Sequence, residues 1–319
     1  MKVLVTGSSS GLPCRENSIT SFASLAQDLG HAVVADLGGR PDVLICVDYH
    51  PRFRDEIRAA RKQGIPTVLV KQEPSVTAPI HKLPNPDNIF DLVVKRGDPD
   101  GSPIFNTFQE WDTRYLSQQI RKDRVVAINA DKWSAIAGEL YSFRRICYSS
   151  DDRIDLFGRG WSEKNSKRLE RLFKEVLLAI RFRHVPVLVN SKNIFLRPLN
   201  YLGQSNDKMT TLAEYKVSLV IENSREYMSE KLVDALLAGN VPVYVGADPK
   251  RFGIPEELYF SCEPDLGEVM ESISQALSVN SEDFRSKVKA WIESDEVKSF
   301  WEVRSVTKTL LDYIECKIS

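Results

Sequence analysis

The 319-residue chain reads as an α/β protein of two parallel-sheet domains, and three observations predict this. In the first half, short apolar runs alternate with helical patterns. The stretch 215–246 repeats the device, with an apolar run, a polar loop, a helical segment and a second apolar run. The length also exceeds what one core comfortably holds, so two domains are expected.

In the first domain, residues 1–124, strands are expected at 3–6, 32–35, 43–46, 67–70 and 92–94, with helices near 19–29 and 53–62. The second domain, 125–319, starts near Val125. Its runs 217–221 and 241–245 have the length and β-branched content of parallel core strands. Residues 231–238 between them read as a short helix closed by Gly239, which completes a βαβ unit. Helical patterns after Leu266 end the chain. Open α/β sheets bind ligands outside the carboxyl ends of their strands, where Glu222, Asn223, Ser224, Tyr227, Glu230 and Lys231 would lie. That is a polar set for a turn that only connects.

Composition narrows the function classes. With 42% apolar and 27% charged residues and a net charge of -1, the chain has no global pull toward nucleic acid, so selectivity for anions must be local. The five cysteines (Cys14, Cys46, Cys147, Cys262, Cys316) are scattered and lack C-x-x-C spacing. Reduced thiols in a reducing compartment are expected, not a disulfide framework or metal site. The opening Met1-Lys2-Val3-Leu4-Val5-Thr6 runs straight into Gly7 and serines, and no apolar run approaches the ~20 residues of a membrane span. The expectation is a cytoplasmic protein without signal peptide or anchor.

Three motifs in the second half belong together: Ile221-Glu222-Asn223, Tyr227-Met228-Ser229-Glu230-Lys231-Leu232 and Gly239-Asn240-Val241-Pro242-Val243. They closely resemble the donor-binding signature of the α1,3/4-fucosyltransferases, glycosyltransferase family 10. The resemblance extends upstream through Ile128-Asn129, Leu140-Tyr141-Ser142-Phe143-Arg144-Arg145 and Ile154-Asp155-Leu156-Phe157-Gly158-Arg159-Gly160-Trp161. It is good over about 125–161 and 203–262 and loose before 125. It implies GT-B architecture, two Rossmann-like domains facing a central cleft, and inverting transfer of fucose from GDP-fucose to a hydroxyl of a glycan or lipid-linked glycan acceptor. The GDP-sugar is then a substrate, and no cofactor or obligatory metal is expected.

Inverting transfer needs a base for the acceptor hydroxyl and positive charge for the departing diphosphate. Lys231 and an arginine, Arg144 in preference to its neighbour Arg145, match the family's charge-bearing positions. Glu230 matches an acceptor for ribose hydroxyls, although an acid also suits the first turn of a helix. Tyr227 would contact base or phosphate, or simply pack. Asn223 would touch the donor or cap the turn, and Glu222 faces the ligand or fixes the loop. The proposed base is Glu73 in Lys71-Gln72-Glu73-Pro74-Ser75, where the family has glutamate, serine and proline in a different order. His50 and Asp48 are positional rivals. The acidic pairs Asp151-Asp152 and Asp98-Pro99-Asp100 read as solvated loops.

Other readings stay open: a GT-B transferase using another nucleotide-sugar, a non-catalytic nucleotide- or glycan-binding module, and a short-chain NAD(P) oxidoreductase. The last rests on Thr6-Gly7-Ser8-Ser9-Ser10-Gly11, Asp36 and the Tyr227/Lys231 pair. Pro13 opposes it by standing where the fingerprint expects a third glycine. Finally, 163–184 carries seven Lys/Arg against three Glu, with Leu169, Leu172, Phe173, Val176, Leu177 and Ile180 at helical spacing. Either its basic face rests on anionic lipid as a peripheral membrane contact, or it is a core-packed helix with a solvated outer face before a strand at 185–189.

Overall fold

Five short β-branched runs of the first half pair into one parallel sheet: β1 (Lys2–Gly7), β2 (Ala32–Val34), β3 (Val43–Val47), β4 (Thr67–Lys71) and β5 (Leu92–Lys95), in the order β2-β1-β3-β4-β5. The computed structural model describes residues 1–7, 22–95, 111–118, 121–182, 184, 193 and 195–319. The central strands β3 and β4 are buried along their whole length, which is why they read as unbroken apolar runs. Helices α1 (Phe22–Asp28) and α2 (Arg54–Lys62) supply the crossovers. Gly7 ends β1 at φ 134°, and a Cβ there would stand 2.0 Å from the Val47 carbonyl oxygen. Glycine is therefore required for β1 to lie against β3. The rest of the glycine-rich turn, with Pro13 and Cys14, lies outside the described residues, as do Asp98-Pro99-Asp100 and the strand expected at 185–189.

The second half forms another five-stranded parallel sheet, β10-β9-β8-β6-β7. Its strands are β6 (Lys122–Ile128), β7 (Ile154–Phe157), β8 (Tyr215–Ile221), β9 (Val241–Val245) and β10 (Phe260–Ser261). Counted from its own first strand, this sheet repeats the 2-1-3-4-5 order of the other. Its helices are α3 (Tyr141–Tyr148), α4 (Asn165–Arg181), α5 (Lys208–Ala213), α6 (Lys231–Leu237), α7 (Leu266–Ser278) and α8 (Ser281–Ile292). In this topology the strand order reverses between the first and third strands, here β6 and β8, and the crevice at their carboxyl ends is the expected ligand position.

Two sequence expectations need correction. The compact units are Met1–Glu110 with Lys298–Ser319, and Trp111–Val297, so a boundary at 124/125 with all terminal helices in the second domain does not hold. After α9 (Asp295–Trp301), helix α10 (Val303–Ile318) buries Val306, Leu310, Leu311 and Ile314 against Val3, Phe22, Ala26 and Val43 of the first unit. Its periodicity announces a buried face but not which sheet receives it. The other correction concerns α4, which is not core-packed through the six apolar residues read as one face. Its fully buried residues are Arg168 and Ala179, with Leu172 and Val176 half-buried, whereas Leu169, Phe173, Leu177 and Ile180 are exposed. Adjacent helix positions differ by about 100° in direction, so 168/172/179 and 169/173/180 form separate stripes. Cys46, Cys147, Cys262 and Cys316 are free thiols.

Candidate functional site

The polar loop after β8 is pinned from both sides. Glu222, fully buried at the strand's end, accepts from the Ser229 backbone N–H (2.7 Å) and hydroxyl. The Lys231 ammonium donates to Glu222 Oε2 (3.1 Å) and to Ser229 Oγ (2.7 Å). On the other side Arg144 of α3, itself buried, donates from Nε and Nη2 to the Ile221 carbonyl (3.0 and 2.6 Å) and from Nη2 to Asn223 Oδ1 (3.0 Å). The Leu140 and Arg225 amides close the seam by bonding the Asn223 and Gly138 carbonyls. The sequence thus brings Arg144, Asn223 and Lys231 to one carboxyl edge, with Glu222 as the acid that fixes the loop. Tyr227 is half-buried on that loop, its carbonyl accepting from the Ala247 amide.

Lys231 is the exposed member of its ion pair. Its side chain is 18% exposed against 0% for Glu222, so an approaching anion meets the ammonium and not the carboxylate. A further cationic group near this edge, Lys208, has carboxylate partners. Glu230, which precedes α6, shares Lys208 of α5 with Asp234. Burial alone would lower the Lys208 ammonium, but Asp234 and Glu230 outweigh it and hold it above its ordinary value. Lys208 and Lys231 line one shallow, small depression together with Ile128, Asn129 and Ser218. Lys208 was absent from the sequence reading because α5 lies outside the quoted motifs.

Arg145, the alternative to Arg144, has a different role. It is 1% exposed, bonds Asp131 (2.9 Å), donates to the Tyr141 carbonyl and stacks on Trp133 at 3.3 Å. The same carboxylate, also fully enclosed, takes a second partner in Arg168 of α4 (2.9 Å). This buried triad ties α3 and α4 to the loop after β6 and offers nothing to a ligand. The two side chains take different partners because successive helix positions point about 100° apart.

In the first unit, Glu73 follows β4 and is half-buried. Asp48, in the left-handed region at φ 50°, accepts from the Gln72 and Glu73 amides (2.8 and 3.1 Å). The Glu73 carbonyl lies 2.8 Å from His81 Nδ1. The backbone of Glu73 is therefore held on both sides, and Asp48, a rival base by position, serves as its brace. Lys71 secures the following loop by donating to the Leu83 and Pro84 carbonyls (2.5 and 3.0 Å), and burial pushes its ammonium down to about 8. His50 accepts from the Arg52 amide and caps a 3-10 turn. Of the dismissed acids, Asp151 is held by Arg153, and no group of three or more His, Cys, Asp or Glu suited to a metal occurs among the described residues.

Burial pushes the His81 imidazole from 6.5 down to about 4. Its folded pKa lies below its unfolded one, so the native state binds fewer protons between these values and stability falls as pH drops through that window. The expected loss is up to roughly 3 kcal/mol between neutral pH and 4. Urea titrations at pH 7, 5.5 and 4 should show it, and His81→Gln should flatten the dependence.

No family model matches the chain, and no curated protein does. Solved structures do match. Anabaena Alr3699/HepE in complex with UDP-glucose aligns over 98% of this chain and 99% of its own, with 11% identity and a TM-score of 0.56. An α1,3-fucosyltransferase aligns over 99% and 90% at 11% identity and 0.51. A trehalose 6-phosphate synthase from Burkholderia multivorans aligns over 93% and 74% at 12% and 0.51. The chain has the GT-B fold. With two separate sheets ordered 2-1-3-4-5, it also departs from the single 3-2-1-4-5-6 sheet of the dinucleotide-binding reading.

Proposed function

We propose that this chain is an inverting glycosyltransferase that moves fucose from GDP-fucose to a hydroxyl of a glycan acceptor. The observation that carries the proposal is the partly exposed Lys231 side chain beside the β6/β8 switch point, with its partner Glu222 fully buried behind it. The fucosyltransferase-like motifs supply the donor, and the fold is compatible with it. In the reaction the acceptor oxygen attacks the sugar's anomeric carbon as its bond to the diphosphate breaks. The proton passes to the Glu73 carboxylate, and Lys231 with Arg144 stabilises the departing GDP without an obligatory metal. Arg144 is 2% exposed and already holds the Ile221 carbonyl and Asn223 through Nε and Nη2, so in this reading it lends its charge to the phosphate side of the edge while bracing the loop that carries Lys231. Glu230 would take the ribose hydroxyls and Tyr227 the base or a phosphate, with Asn223 orienting Arg144.

The second reading, a GT-B transferase using another nucleotide-sugar, is favoured by the UDP-glucose bound in the Anabaena neighbour. Calorimetry with GDP, UDP and NADP separates the readings. Tight GDP binding supports the first, preference for UDP the second, and binding of NADP alone would return the oxidoreductase.

Glu73→Gln is expected to leave GDP-fucose affinity within about twofold while lowering turnover roughly 10²–10⁴-fold, since it retains shape and removes the proton acceptor. Donor calorimetry beside the transfer rate checks this. Turnover within a few-fold of the parent would remove Glu73 as the base.

A further inference from the structure

Helix α4 presents Leu169, Phe173, Leu177 and Ile180 to solvent at 46%, 64%, 51% and 56% exposure. Their spacing of i, i+4, i+8 and i+11 makes one continuous apolar line along a 17-residue helix about 25 Å long. Surface leucines occurring singly need no explanation, but an unbroken row does. Phe195, 49% exposed, is a further exposed apolar side chain, and its neighbour Leu196 accepts from Arg168 Nη1 at 2.9 Å in the helix's first turns.

Charge along the row's edge identifies the occupant. Lys167, Lys174 and Arg181 are exposed and recur at i, i+7 and i+14, so they run beside the apolar line on the side away from the buried Arg168 and Ala179. Glu170 is the exposed acid of the helix on this side, and it is paired with Lys174. Long cationic side chains flanking an apolar stripe suit a lipid interface, where the stems lie along the acyl boundary and the heads reach phosphates. A protein groove would fit the stripe but gives no reason for a line of cations beside it. We propose that α4 is an interfacial helix that rests this chain on an anionic lipid surface. The proposal is independent of the sugar donor and of whether the chain is an enzyme.

The test is cosedimentation of the full chain with vesicles of phosphatidylcholine containing phosphatidylglycerol, beside vesicles of phosphatidylcholine alone. The parent protein should pellet with the anionic vesicles and at least tenfold less with the neutral ones, and added salt should weaken the association. Phe173→Asp with Leu177→Asp should lower partitioning at least tenfold, and Lys167→Gln with Arg181→Gln severalfold. All four positions are exposed, so unchanged circular dichroism and urea midpoint are expected alongside. Failure of the parent to pellet with anionic vesicles would overturn the proposal, as would pelleting that ignores these substitutions. A concentration-dependent dimer that Phe173→Asp abolishes, without vesicle binding, would overturn it in favour of an interface between copies of this chain.

Discussion

Lys231→Ala is expected to produce two separable losses. The first is stability: Glu222, fully buried, would lose its counter-charge, and breaking such a pair costs about 3 kcal/mol or more. Urea unfolding measures this, and Glu222→Gln in the same chain should restore much of it by removing the stranded charge. The second is GDP binding, where losing a charged hydrogen bond to phosphate costs roughly 2–5 kcal/mol, or some 30-fold to several thousand-fold in affinity. The Glu222→Gln partner change should not restore binding. Recovery of GDP affinity in the double variant would mean that Lys231 only neutralises Glu222 and touches no ligand.

Arg145→Ala should be among the most destabilising single changes in the second unit, at roughly 3–5 kcal/mol, because Asp131 is enclosed and would keep only Arg168. Its guanidinium also leaves the face of Trp133. Arg144→Ala instead removes the guanidinium donors of the Ile221 carbonyl and of Asn223 Oδ1, costing about 2 kcal/mol, with GDP affinity falling further than stability explains. Urea unfolding and GDP calorimetry on both variants separate the roles. A stable Arg145→Ala protein that has lost GDP binding would reverse the assignment between the neighbours.

The sheets were legible because parallel strands are buried on both faces: 43–46 and 67–70 fall within one residue of Val43–Val47 and Thr67–Lys71. That Glu222 and Lys231 meet follows from two neighbouring motifs on one strand-to-helix turn, which the sequence left open between fixing the loop and facing a ligand. Other features depend on distant partners. Asp131, Arg145 and Arg168 meet from a loop and two helices, and nothing local marks them as one cluster. His81 reaches Glu73 from a 3-10 turn (Pro79–Lys82) eight residues on, and α10 joins a sheet nearly three hundred residues upstream. In α4 the hydrophobic period was correct, but two stripes were merged into one face, and only packing shows which of them the protein covers.

The most direct test of the central claim is to incubate the chain with GDP-fucose and a panel of glycan acceptors and to weigh the products, with UDP-glucose as the parallel donor. The account predicts release of GDP and an acceptor heavier by one deoxyhexosyl residue, lost in Lys231→Ala with Glu222→Gln and in Glu73→Gln. Transfer from UDP-glucose alone would contradict the donor assignment. No transfer from either donor, with folded protein that binds neither GDP nor UDP, would contradict the glycosyltransferase reading itself.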